Sequence, residues 1–181
     1  AGSLSSPLTY CMGDDGKLFA LNFDLFGSGD GSTDNSYIIS DYNHLKNIKY
    51  FLNANYQIDN DIQLDENCPI TLENQVFSGT INGNYHYIQG CSDRADNVFD
   101  SNGYVGLFNK TNGAKFSNII LAGFNVSGYV NSTTLYLGTL VAYAENTQFE
   151  NIKITSSNFV INKSNTIGQI RNEVNIYAGG L

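Results

Sequence analysis

The sequence predicts an all-β chain folded as a right-handed parallel β-helix with one N-terminal capping helix. Three observations carry this expectation. There are 25 Asn and 18 Gly among the 181 residues, and Asn is poor in helices because its side chain competes for its own backbone and favours turns and left-handed positions. After Asn53 the apolar period becomes two, with Tyr56, Ile58, Ile62 and Leu64 separated by polar Gln57, Asp59, Asp61 and Gln63. Two different motifs then recur at nearly one period.

The first motif, Tyr104-Val105-Gly106-Leu107-Phe108, returns as Tyr136-Leu137-Gly138-Thr139-Leu140 and as Tyr177-Ala178-Gly179-Gly180-Leu181, at spacings of 32 and 41 residues. The second, Phe116-Ser117-Asn118-Ile119-Ile120-Leu121, matches Phe149-Glu150-Asn151-Ile152-Lys153-Ile154 at a spacing of 33. Phe124-Asn125-Val126 and Asn158-Phe159-Val160-Ile161 supply a third strand per period. Such periods mean stacked repeats, whose neighbours together bury an apolar face that none buries alone. Three strands per period favour a β-helix over four-stranded propeller blades. Phe116, Asn118 or Ile119, and Leu121 should then point inward, with Gly106 and Gly138 at close chain approaches.

Taken in order, the clusters Leu18-Phe19-Ala20-Leu21 and Phe23-Asp24-Leu25-Phe26 suit one or two opening strands, and Gly27-Ser28-Gly29-Asp30-Gly31-Ser32 is a loop. Tyr37-Ile38-Ile39 reads as a strand. A helix is predicted from Tyr42 to Leu52, with Ser40 as N-cap, Asp41 in the first turn, and Tyr42, Leu45, Ile48, Lys49 and Leu52 on one stripe. The whole chain is read as a single domain: residues 1–55 are opening strands and capping helix, and 56–181 are coils. Because it stops inside the third copy of the first motif, the natural polypeptide is expected to continue, and an open last coil is expected to pair end to end.

Seventeen acidic against nine basic residues give a net charge of −8, which phosphate backbones and anionic membranes repel, so nucleic acid is not expected as a partner. No apolar run reaches membrane-spanning length, so no membrane insertion is expected. Cys11, Cys68 and Cys91 form no CxxC pair and only His44 and His86 are available, which argues against structural zinc. One disulfide with one free thiol, or three buried thiols, are the alternatives. A Cys68–Cys91 bond is the pairing that stacked coils would bring within reach.

At this point the chain resembles a known family. The runs from Gly29 to Ser40, Leu45 to Leu52, Tyr56 to Ile62 and Phe77 to Asn84 resemble the lead-in of bacterial surface proteins carrying GLUG-motif repeats, and the glycine-containing repeats at 106, 138 and 179 resemble the motif itself. The resemblance implies a secreted or cell-surface setting, a β-helix with a helical N-terminal cap, and adhesin-like proteins or the non-catalytic part of immunoglobulin A peptidases. No cofactor is expected.

Two function classes follow: a non-catalytic surface module that binds extracellular protein or glycan or serves as a rigid stalk, and a β-helix lyase or hydrolase acting on polysaccharide. For the enzyme, Asp59 and Asp61 form a candidate carboxylate pair, although alternation already explains them as a solvated outer face. Scattered Lys and Arg form no cluster for an acidic substrate, which favours the module. Tyr85, Tyr87, Tyr129, Tyr136 and Tyr143 are its candidate contacts, because Tyr is a rigid amphipathic interface residue. Asp30, Ser32 and Asp34, with Asp41 at the twelfth position, mimic a calcium loop, but Asn35 stands where Gly is required and an Asp-rich turn is the favoured reading. Sequons occur at Asn109, Asn125, Asn131 and Asn162.

Overall fold

A computed structural model describes residues 9–12, 18–21, 25–64, 75–90, 97–99, 103–130, 134–163 and 175–178, which are mostly strand. In chain order these are β1 (Thr9–Met12), β2 (Leu18–Leu21), β3 (Tyr37–Ile39), then α1 (Tyr42–Asn47) continued by a 3-10 turn (Ile48–Tyr50), β4 (Asn55–Ile58), β5 (Ile62–Gln63), β6 (Val76–Phe77), β7 (Thr80–Asn82), β8 (Tyr87–Gln89) and β9 (Asn97–Phe99). They continue with β10 (Tyr104–Val105), β11 (Phe108–Asn112), β12 (Lys115–Ala122), β13 (Asn125–Val130), β14 (Thr134–Leu137), β15 (Val141–Glu145), β16 (Gln148–Thr155), β17 (Asn158–Lys163) and β18 (Asn175–Ala178). The chain is all-β with one short helix.

β1 and β2 pair antiparallel as a separate ribbon. Every other pairing among the described residues is parallel, in the orders β10-β14-β18, β15-β11-β6, β17-β13-β9 and β3-β4-β7-β12-β8-β5, with β16 also on β12. Registers follow the sequence repeats: Tyr104 lies beside Tyr136 and Tyr136 beside Tyr177, Phe116 beside Phe149, and Asn125 beside Asn158. Parallel neighbours are about 4.8 Å apart, so residues one period apart stack.

β12 carries a bend. Its first arm pairs with β7 and its second with β8, and Asn118 between them has a left-handed φ of 53°. This resolves the choice between Asn118 and Ile119: Phe116, Ile119 and Leu121 are buried, and the extra residue turns the corner. The left-handed positions repeat, with Gly113 equivalent to Asn146, Asn118 to Asn151, and Gly123 to Ser156. Asn adopts this region more readily than other residues bearing a Cβ. At the middle corner the side chains form a ladder: Asn118 Nδ2 donates to Asn82 Oδ1 (3.1 Å) and Asn151 Nδ2 donates to Asn118 Oδ1 (2.9 Å). At the first, Asn146 Nδ2 donates to Asn112 Oδ1 (3.2 Å).

The core is a column of stacked apolar side chains. Phe26 packs on Tyr37 with centroids 4.4 Å apart, Tyr37 on Tyr56 at 5.7 Å, Tyr56 on Phe77 at 6.2 Å, Phe77 on Phe116 at 5.7 Å, and Phe116 on Phe149 at 5.6 Å. Tyr56, Ile58, Ile62 and Leu64 are buried as their alternation predicts. Burial pushes the Tyr56 phenol well above its usual range, and its O–H donates to Phe51 O (2.6 Å). Gly106 occupies a close approach, since a Cβ there would meet Gly138 O at 2.8 Å and Ala142 N at 2.9 Å.

The N-terminal part departs from expectation in four ways. Asp41, not Ser40, is the N-cap: it is extended, with φ −153°, and its Oδ1 accepts the His44 N–H (2.9 Å). The α-helix ends at Asn47 and tightens into the 3-10 turn, where Phe51 N–H bonds Ile48 O (3.0 Å), so Leu52 lies beyond it. Parallel pairing begins at β3, before the helix. Adjacent parallel strands need a crossover connection, and α1 is that crossover between β3 and β4 rather than an element ahead of the sheet. Leu25 and Phe26 form no strand, although Phe26 is buried.

Candidate functional site

In-register parallel pairing dictates what the first motif presents. Tyr104 and Tyr136 stack with centroids 5.0 Å apart and planes at 8°, because strand spacing matches ring-stacking distance. Tyr143, 37% exposed, stands edge-on to both, at 6.1 Å and 75° from Tyr104 and 5.4 Å and 76° from Tyr136. Lys110, in register with Tyr143 across β11 and β15, places Nζ 4.2 Å from the Tyr104 ring centroid. The Tyr143 O–H donates to Glu145 Oε1 (3.3 Å), and the charge of Glu145 pushes the phenol above its ordinary pKa. Three rings, one cation and one carboxylate thus converge. Such a group can stack on a planar or ring-shaped ligand and hydrogen-bond its rim.

Of the five tyrosines singled out from the sequence, Tyr136 and Tyr143 meet here. Tyr85 lies in the turn between β7 and β8 at a φ of 62°, and Tyr87 opens β8; both are exposed. Tyr129 lies on β13, where only the backbone is described. Tyr104 and Lys110 were not among the candidates. The repeat contained the signal for Tyr104, since it aligns with Tyr136, and Lys110 precedes Tyr143 by the same 33-residue period that relates the two strands.

The carboxylate pair has a different setting from the one the sequence suggested. Asp59 and Asp61 are exposed on the turn joining β4 and β5. Asp61 Oδ1 accepts the Tyr87 N–H (2.9 Å) and lies 3.2 Å from His86 Nδ1. The Tyr87 hydrogen bond, aided by His86, holds the Asp61 carboxyl below its ordinary pKa. No basic partner was near Asp61 in sequence; the parallel pairing of Ile62 with Ile88 brings His86 to it.

The calcium candidates do not converge. Asp30 Oδ1 accepts the Ser32 N–H (2.9 Å) in a local turn, where hydrogen bonds from Ser32 hold the carboxyl below its usual value. Asp34 is exposed, Asp41 caps the helix, and among the described residues no three His, Cys, Asp or Glu side chains group as metal ligands. Cys68 and Cys91 lie outside the described residues. The sequon residue Asn109 is buried, with Oδ1 unpartnered, so the folded chain does not offer it for modification.

No protein-family model matches the chain, and no curated protein or solved structure is significantly similar to it. The GLUG resemblance therefore rests on the quoted residues alone.

Proposed function

We propose that the chain is a right-handed parallel β-helix of a secreted or cell-surface protein, a non-catalytic module that binds an extracellular glycan or protein on its outer face. The Tyr104–Tyr136–Tyr143 cluster with Lys110 is the observation that carries this reading. Pairing with a 33-residue period and repeated left-handed corners support the solenoid, and the GLUG resemblance supports the adhesin-like setting. Stacked parallel strands hold the rings before a ligand arrives, which lowers the ordering cost of binding. Net charge disfavours nucleic acid, and no helix among the described residues is long and apolar enough to cross a membrane.

The test is a glycan and extracellular-protein binding array on wild type and on Tyr136→Ala and Tyr143→Ala. Saturable binding lost in both variants supports the module, whereas binding that is indifferent to both removes the tyrosine face. A second reading, polysaccharide cleavage, is favoured by the contact between Asp61 and His86. Asp61 is held ionised, which suits the proton-abstracting base that elimination needs and not the proton donor that hydrolysis also needs. Turnover abolished by Asp59→Asn or Asp61→Asn in a depolymerisation assay would establish that second reading.

A further inference from the structure

The tyrosine face is arranged for chemistry between its own rings. Tyr104 and Tyr136 lie in register on neighbouring strands, with ring planes 8° apart and centroids separated by 5.0 Å. Loss of an electron and a proton turns a phenol into a phenoxyl radical, whose unpaired density occupies p orbitals normal to the ring, at the oxygen and at the carbons ortho to it among others. In-register stacking points those orbitals at each other. With Tyr136 on one face of Tyr104, Lys110 Nζ, 4.2 Å from the Tyr104 centroid, covers the other. Tyr104 is thereby presented to Tyr136 and shielded from a second chain.

Tyr143 supplies the way in. It is the exposed member of the three, whereas Tyr104 and Tyr136 are half-buried. Its centroid lies 5.4 Å from that of Tyr136 and 6.1 Å from that of Tyr104, so it can take an electron from either ring. Its O–H donates to Glu145 Oε1 (3.3 Å), which places a carboxylate where the proton shed on oxidation is released.

We propose that Tyr104 and Tyr136 are a covalent modification site, joined ortho carbon to ortho carbon as a dityrosine when a haem peroxidase and hydrogen peroxide oxidise the cluster through Tyr143. The peroxidase takes one electron from Tyr143 as its proton passes to Glu145. An electron from a stacked ring and the same proton restore Tyr143, and the phenolic proton of that ring goes to solvent. A second round oxidises the other ring of the stack. The two radicals form the carbon–carbon bond, each ortho hydrogen leaves as a proton, and each phenol oxygen takes a proton up. Two phenols and one hydrogen peroxide thus give one biphenol and two water molecules. The bond ties β10 to β14 and holds whether or not the same face binds a ligand.

Treatment of the folded chain at low concentration with a haem peroxidase and hydrogen peroxide tests this, read by intact mass, dityrosine fluorescence and tryptic peptides. Cleavage after Arg94, Lys110, Lys115 and Lys153 leaves Tyr104 as the one tyrosine of peptide 95–110 and puts Tyr136 in peptide 116–153. The proposed bond joins these two peptides, whereas a bond between Tyr136 and Tyr143 stays within the second. The monomer should lose the mass of two hydrogens, and the joined pair should dominate although Tyr50 and Tyr85 are more exposed than Tyr143. Tyr104→Phe and Tyr136→Phe keep a ring in the stack and should each lower that product about tenfold or more, because the coupling depends on two phenols held together. Tyr143→Phe should slow its formation about tenfold and leave the position of the bond unchanged. No coupling, products that mainly link separate chains, links that fall mainly on other peptides, a joined pair that survives Tyr136→Phe, or a rate indifferent to Tyr143→Phe would each overturn the proposal.

Discussion

Replacing Asn118 by Ala removes three things that can be separately weighed. The left-handed corner at a φ of 53° costs an ordinary residue with a Cβ roughly 1–2 kcal/mol, a cost that Asn partly escapes. The bonds to Asn82 Oδ1 and from Asn151 Nδ2 contribute about 0.5–1.5 kcal/mol each. Together Asn118→Ala should destabilise the chain by about 2–4 kcal/mol, a large share of a typical domain's ~5–15 kcal/mol. Asn118→Gly loses the same bonds but adopts the corner freely, so it should be milder than Ala by about 1 kcal/mol. Urea unfolding followed by far-ultraviolet circular dichroism measures both, with midpoints falling in the order wild type, Gly, Ala. If Ala is as mild as Gly, the corner does not select Asn for its backbone. If both lie within about 0.5 kcal/mol of wild type, the ladder contributes nothing.

Phe116, fully buried between Phe77, Phe108 and Phe149, should cost about 3–5 kcal/mol on change to Ala; Phe149→Ala, at a partly buried position, should cost less than half as much in the same urea assay. Asp61 supplies a pH dependence. Its folded pKa lies below the ordinary carboxylate value, so its contribution is fully present above that ordinary value and is lost as pH falls through the folded one. The stability gap between wild type and Asp61→Ala, measured by urea midpoints from neutral pH downward, should therefore be constant until about pH 4 and close below it. A gap that widens in acid would contradict this assignment of the Tyr87 and His86 contacts.

The sequence by itself determined the repeating part of the molecule. Alternation fixed which of Tyr56, Ile58, Asp59, Asp61 and Ile62 face inward, and the recurrence of Tyr104 at Tyr136 and of Phe116 at Phe149 anticipated their pairing. These are local or strictly periodic properties, and a covalent spacing that repeats produces contacts that repeat. Only the tertiary structure decided that Asn118 turns a corner while Ile119 is buried, because either parity fits the alternation. It also decided that α1 links two parallel strands, that Lys110 covers Tyr104, and that His86 reaches Asp61. The early periods are irregular: 25 residues separate Tyr56 from its partner Ile81, against 33 from Phe116 to Phe149. Where loop lengths vary, the pairing is chosen by which register buries the apolar face and satisfies the backbone, and that balance is struck between segments remote in sequence.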